Sequence, residues 1–443
     1  MSATGHPLID NAPPDWRVST VDEVKSSERH ACVAGPFGSS ISSKFFTTSG
    51  VPVIRGSNLT IGLERFVARD FVFVSEETAG KFSAQTVCAG DLVFTCWGTI
   101  GQVGLIPKDG PFDRYIISNK QLKLRVDREV LDPLFAFYFF AAPDSVRYVQ
   151  DRAIGSAVPG INLGILKSLP VLIPPLSIQQ RIVSILSAYD DLIEVNRRQI
   201  TLLEEMARGL FEEWFVRFRF PGHEEVPILD TPDGPLPKGW TWGTIGEVSK
   251  IIKSGSTPSR KERTYWEDGV LEWFTTGELN NGFLFSANER VSKIAVDTNK
   301  VRVFPVGTVF IALYGATIGA LGIAAVECSS NQAALGLVPD GVRMRRWQLF
   351  HTLAHLKEWF ISVGQGAAQQ NISKEKVAAA RVALPPAGIS ELFDCMAAPL
   401  WELRSVVERQ NSLLAASRDL LLPRLISGQL SVAQAERELE KAA

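Results

Sequence analysis

The phrase WGTIGQVG, Trp97 to Gly104, returns as GATIGALG between Gly315 and Gly322. Internal repetition constrains a fold strongly, because every element then has to be placed twice. Other echoes keep the same order. DWRVSTVDEV from Asp15 pairs with GWTWGTIGEV from Gly239, aligning Trp16 with Trp240, and SNKQ at Ser118 pairs with SNQA at Ser330. GSAVPGI from Gly155 pairs with GAAQQNI from Gly366, and VLIPP ending at Pro175 with VALPP ending at Pro386. RRQITLL from Arg197 pairs with ERQNSLL from Glu408. The chain therefore reads as one unit used twice.

Each repeat begins with short β-type runs, VPVIRG, DFVFVS and DLVFTCW in the first, set apart by turn residues. A helical stretch, LDPLFAFYFFAAPDSVRYVQ, interrupts them and has its counterpart in RRWQLFHTLAHLKEWFISVG. This predicts a mixed α/β (α+β) globule in each repeat. After the double proline, Gly and Pro become scarce and the apolar residues fall on a heptad. In the first repeat Ile182, Tyr189, Leu203 and Leu210 occupy one position, with Asn196 in its middle turn. Ile185, Leu192 and Met206 occupy the companion position with Gln199 between them, and Leu186, Ile193, Ile200 and Ala207 flank the stripe. The same frame in the second repeat collects Phe393, Leu400, Val407, Leu414 and Leu421, then Met396, Leu403 and Gln410.

A helix of about 40 residues is about 60 Å long, too long to bury its stripe on one small globule. Two complementary stripes in one chain can pair as a coiled coil separating two similar lobes, and an internal pseudo-twofold axis relating the repeats would make the helices antiparallel; the alternative is that each helix packs on its own globule or in a homodimer. A Gln/Asn layer of Asn196, Gln199 and Gln410 would fix the register of the coiled coil.

Composition narrows the function. With 443 residues, 45 % hydrophobic and 21 % charged, the chain is an ordinary globular protein. The N-terminus lacks the pattern of a secretory signal, no apolar run is long enough for a membrane span, and the five cysteines form no C-x-x-C pair. These features predict a cytoplasmic protein without membrane contact, structural zinc or disulfides. A formal charge of −2 argues against coating the whole surface with nucleic acid but leaves room for local basic patches.

No P-loop, dinucleotide fingerprint, nucleophile elbow or nuclease-type acidic cluster is present. His351 and His355 have a zinc-compatible spacing, but Thr352 stands where a zinc protease has Glu, so a partly buried helical face is the plainer reading. What repeats is scaffold: turns, a Trp, a double proline and a long helix. A duplicated enzyme would duplicate its catalytic set; a frame carrying two unlike recognition surfaces would not.

The unlike loops are rich in residues that suit phosphates and base edges. In the first repeat they carry Ser39, Ser40, Ser43, Lys44, Arg55, Ser57, Asn58, Arg114, Asn119 and Lys120. In the second they carry Lys253, Ser256, Arg260, Lys261, Arg263, Thr276, Asn280, Asn281, Gln369 and Gln370. Two unlike lobes on a rigid spacer would read an asymmetric, bipartite site in double-stranded DNA. An enzyme with an unrecognised active site and a purely structural adaptor are the competing classes.

PPLSIQQRIVSILSAYDDLIEVNRRQITLLEEMARGLFEEWFV, followed by GPLPKGW, resembles the central conserved region of type I restriction–modification specificity subunits. LLLPRLISGQL is similar to their C-terminal conserved region, and PDWRV and PKGWTW to the starts of their target recognition domains. The resemblance implies target recognition domains over 1–175 and 223–386, with conserved helical regions over 176–222 and 387–443. It also implies a non-catalytic bacterial or archaeal subunit. Its partners would be two adenine methyltransferase (modification) subunits, which use S-adenosylmethionine, and translocating nuclease (restriction) subunits. This chain itself would hold no cofactor or metal. PPAGISELF lacks the glutamine usual after the second double proline.

Overall fold

The structure, a computed structural model, describes residues 4–155, 158–364 and 371–442. It divides into two compact units, Met1–Glu194 with Asn411–Ala443, and Val195–Gln410.

In the first unit the apolar runs become short strands. Leu92–Thr95, buried throughout, lies between Gln121–Leu124 and Val103–Leu105, and Cys32–Ala34 completes an antiparallel four-stranded sheet. A second sheet is built around the parallel pair Val51–Ile54 and Tyr115–Ile117. Arg17–Thr20 pairs antiparallel with Pro170–Ile173, fastening the start of the lobe to its end. The helix Pro133–Ala141 is buried from Phe135 to Ala141, as expected of a segment that is apolar all round. Proline opens it and the Asp132 carboxylate accepts from the N–H groups of Leu134 and Phe135.

The second unit repeats this order. Thr241–Thr244 pairs with Arg381–Leu384. Ser249–Ser254, Ala334–Pro339, Val309–Ala312 and Leu321–Ala324 are neighbours in that sequence, with Gly282–Leu284 added in parallel at the edge. Gly269–Phe274 and Cys328–Ser330 form the parallel pair, and Arg346–His355 is the buried helix.

The two long helices span Leu176–Phe211 and Ala387–Ile426. Within the first unit Ile182 and Leu186 share a core with Leu422, Leu425 and Ile426, Asp190 pairs with Arg418, and the Ile193 carbonyl accepts from the Asn411 amide at 3.4 Å. Within the second, Glu204 pairs with Arg404, and Phe211 and Phe215 pack on Phe393. In each unit the numbering of one helix rises as the other falls, so the pairing is antiparallel.

The facing rows differ from the sequence expectation. Ile182, Asn196 and Leu203 are buried as expected, as is Ile185 of the companion row, but beyond Ile185 their companions are Leu186, Ile193 and Ala207, the row taken as a flank. Leu192 and Met206 are exposed. The second helix shows the same shift: Phe393 and Val407 are accompanied by Ala397 and Arg404, whereas Met396 and Leu403 are exposed. Both candidate rows are apolar, so periodicity alone does not choose between them.

Both chain ends complete the first unit. Leu430, Val432 and Ala435 join the core that holds Leu8, Ile9 and Trp16, and Arg181 pairs with Glu436. In the second unit Trp240 is packed instead by Phe215, Phe218 and Phe220, from the stretch that follows the first long helix. Among the described residues, no helix is long and apolar enough to cross a membrane.

Candidate nucleic-acid interface

The repeated glycine phrase is a turn wedged beneath a helix. Gly101 and Gly319 have φ of +100° and +78°, the left-handed region that glycine tolerates. A Cβ at Gly101 would stand 2.6 Å from Val146 Cγ1, and one at Gly319 would stand 2.8 Å from Lys357 Cγ. Just before each turn an aromatic residue faces solvent, Trp97 at 42 % exposure and Tyr314 at 40 %. Trp97 makes a β-bridge to Gly160, and Tyr314 makes the equivalent bridge to Asn371.

The polar loop residues singled out from the sequence separate into two groups. One group staples the loops. Asn58 is fully buried; its side chain accepts from Arg55 N–H and donates to the carbonyls of Val67 and Arg69. Arg55 Nη2 donates to the Asp70 carbonyl, Arg114 pairs with Glu76, and Asn119 donates to the Gly38 carbonyl. Ser256 Oγ accepts from Arg302 N–H, Asn280 Oδ1 from Gly282 N–H, and Asn281 Oδ1 from Leu321 N–H. Arg260 is clamped: Nη2 donates to Glu289 Oε2 at 2.7 Å, Nη1 to the other carboxylate oxygen, and the guanidinium lies 3.7 Å from the Trp266 ring centre. The hydrogen bond to Glu289 raises the pKa of Arg260 and the same bond lowers that of Glu289.

The second group is open to solvent: Ser40, Ser43, Lys44, Ser57 and Lys120 in the first lobe, Lys253, Lys261 and Arg263 in the second. Thr276 is half-buried. Gln369, Gln370 and the side chain of Ser39 lie outside the described residues. The exposed lysines and arginine have the chemistry for phosphate contacts.

Sequence reasoning passed over the aromatics at the same rim. Phe37, just before the short 3-10 helix Gly38–Ser40, is 94 % exposed; Trp97 lines the same cavity and Tyr314 stands at the matching place in the second lobe. The signal was present, since Trp97 opens the repeated phrase and Tyr314 stands just before it.

On the long helices Asn196 is buried, Gln199 is half-buried and Gln410 is exposed; its neighbour Asn411 makes the inward hydrogen bond described above. His351 is buried and its Nε2 accepts from Trp401 Nε1 at 3.3 Å. Burial lowers its pKa to about 4, which keeps the ring neutral. Among the described residues, no three His, Cys, Asp or Glu side chains group as metal ligands.

The scaffold is built twice, and its matching rims carry unlike polar and aromatic side chains. The chain belongs to the family defined by the type I restriction modification DNA specificity domain, whose model matches residues 15–205 and 237–391. It is similar to the type I restriction enzyme MjaIX specificity subunit of Methanocaldococcus jannaschii, 23 % identical, with 96 % of this chain and 95 % of that one covered. It is also similar to the HindI specificity subunit of Haemophilus influenzae, 21 % identical, with 73 % and 83 % covered. The fold matches the crystal structure of a type I restriction–modification S subunit from M. genitalium with a TM-score of 0.57 at 15 % identity, covering 93 % of this chain and 96 % of that one.

Proposed function

We propose that this chain reads an asymmetric, bipartite DNA sequence for a restriction–modification complex, one half-site per lobe, and performs no catalysis itself. The lobes over 1–175 and 223–386 are the readers; the segments over 176–222 and 387–443 are the docking regions. The observation that carries this reading is the duplicated strand order combined with different exposed residues on matching rims. An enzyme duplicated in this way would keep its reactive groups in both copies.

The exposed apolar row supports docking. Leu202, Met206, Met396 and Leu403 in the second unit, and Leu192, Leu413 and Leu420 in the first, face solvent along the long helices. Such a row on a soluble protein marks an interface, and partner helices of the modification subunits would cover it. Those subunits would bind S-adenosylmethionine and methylate adenine, and restriction subunits would join through them. Their positive surface would also offset this chain's net charge of −2 when DNA is clamped.

Mapping methylated adenines in cells that express the chain with its modification subunits tests the proposal. The expected result is one motif of two unlike elements separated by a fixed gap. A continuous motif, or sequence-independent methylation, would contradict it. Removing whole turns from both long helices should shorten the gap and leave the letters of each element unchanged.

A further inference from the structure

The first lobe contains a cavity of about 400 Å³ with Phe37, Gly38, Trp97, Asn119 and Lys120 on its rim. The second lobe builds the same frame from equivalent backbone bonds. Cys96 N–H donates to the Lys120 carbonyl at 2.8 Å, and Leu313 N–H to that of Ala333 at 2.9 Å. Ile161 N–H donates to the Cys96 carbonyl at 3.0 Å, and Ile372 N–H to that of Leu313 at 2.9 Å. Gly35 N–H donates to the Gln121 carbonyl at 2.8 Å, and Gly255 N–H to that of Ala334 at 3.0 Å.

Glycine is required at both places. A Cβ at Gly35 would come within 1.9 Å of the Ser118 carbonyl oxygen, and one at Gly255 within 2.2 Å of that of Ser330. The frame residues are thus the same in both lobes: Gly35 and Gly255, Ser118 and Ser330, Asn119 and Asn331. The exposed residues they display are not. Phe37 is matched by Thr257 and Trp97 by Tyr314; Gln332 follows Asn331 as Lys120 follows Asn119, although in the second lobe one further residue, Ala333, carries the backbone carbonyl that Lys120 supplies in the first.

Packing demands explain the shared residues, whereas the unlike ones all reach solvent. Phe37 is almost fully exposed, a position that gives it no stabilising burial within this chain. We propose that this cavity and the matching backbone frame of the second lobe are the base-reading sites, and that Phe37, Trp97 and Lys120 in the first lobe and Thr257, Tyr314 and Gln332 in the second set the bases each lobe accepts. This rests on the DNA-reading function proposed above and assigns it to particular side chains.

The chemistry of each set is distinct. The Lys120 ammonium donates and cannot accept, which suits the paired acceptors on the major-groove edge of guanine; the Phe37 ring suits a thymine methyl group. In the second lobe the Thr257 hydroxyl donates to Gln332 Oε1. That bond orients the amide and leaves its nitrogen free to donate to an acceptor on a base edge. Trp97 and Tyr314 supply an apolar wall beside the donors.

The test uses the chain in complex with its modification subunits. Methylation rates are measured on a panel of duplexes in which each position of each half-site is changed singly, for wild type, Lys120→Gln, Trp97→Phe, Gln332→Lys and Tyr314→Phe. For each Lys and Gln variant, the expected result is a change of about ten-fold in relative preference at positions of one half-site, with the other half-site unaffected. The aromatic variants should change preference in the same half-site as the polar variant of their lobe. Unchanged preferences would overturn the assignment, as would a uniform loss over the whole panel, which is the signature of a phosphate contact or a structural role. If the wild-type complex itself shows no two-part preference, the underlying DNA-reading proposal fails as well. If wild type does show it and the variants do not alter it, only the assignment to these residues fails.

Discussion

The two units meet the same packing problem with opposite chemistry. Asp190 and Trp401 stand at the same distance from the starts of their long helices, and each faces the buried helix of its own lobe. In the first unit the Tyr138 hydroxyl donates to Asp190 at 2.6 Å, and Arg65 and Arg418 flank the carboxylate. In the second unit Trp401 donates to His351, stacks on Trp347 at 5.0 Å and meets Phe350 edge-on at 4.7 Å. A donor–acceptor pair is retained at this helix contact while its direction reverses and its surroundings change from ionic to aromatic. The scaffold therefore requires that the contact be filled and its polar atoms satisfied, and it accepts more than one way of doing so.

This contrast can be broken at several points, ordered here by expected effect. Trp401→Ala should destabilise the second unit by about 3–5 kcal/mol, the cost of emptying a large aromatic site; denaturant unfolding would measure it. A loss below about 1 kcal/mol would show that the aromatic cluster is not the anchor.

Asp190→Ala should cost about 1–3 kcal/mol, because it removes the acceptor of the Tyr138 hydroxyl and the buried carboxylate shared by Arg65 and Arg418, leaving them only their exposed partners Asp191 and Asp419. The replacement of both Asp190 and Arg418 by apolar residues should cost less than Asp190→Ala alone. If the double variant is the worse of the two, the ion network contributes more than the neutralisation of its own charges.

The pH response should differ at the same contact. His351 titrates at about 4 when folded because burial disfavours its charged form, against about 6.5 in an unfolded chain. Its contribution is therefore complete above pH 6.5 and is lost as the pH falls towards 4, where the unfolded chain binds the extra proton. His351→Gln keeps an acceptor for Trp401 and should flatten the pH dependence of unfolding over that window. An identical slope in both proteins would mean that His351 does not report the burial described.

The smallest effects belong to the surface. Lys261→Gln should leave unfolding unchanged and lower the salt dependence of DNA binding by about one counterion. Arg260→Gln should instead weaken the loop that Arg260, Glu289 and Trp266 hold together, by roughly 0.5–1 kcal/mol. Equal salt effects from both would place Arg260 among the phosphate contacts despite its clamp.

These residues also show what the sequence could and could not reveal. The duplication and the long helices followed from ordered echoes and heptad spacing, and the antiparallel pairing from the pseudo-twofold symmetry that a duplicated chain can adopt. The facing rows did not, since Leu192, Met206, Met396 and Leu403 are as apolar as the residues that pack inside. An apolar side chain reserved for a partner is indistinguishable in sequence from one that belongs to the core. The same ambiguity affects the loops. Asn58 and Asn281 have the composition of base-reading residues, but here they satisfy backbone groups, a task for which Asn is equally suited. Burial separates the two roles, and burial depends on contacts distant in sequence.

The central claim is that each lobe reads its own half-site independently. Replacing the lobe over 223–386 with a second copy of the lobe over 1–175, and mapping the adenines methylated by the resulting complex, tests this most directly. The expected product is a two-part motif in which both elements carry the letters of the half-site read by the first lobe. Retention of the original two unlike elements would contradict it.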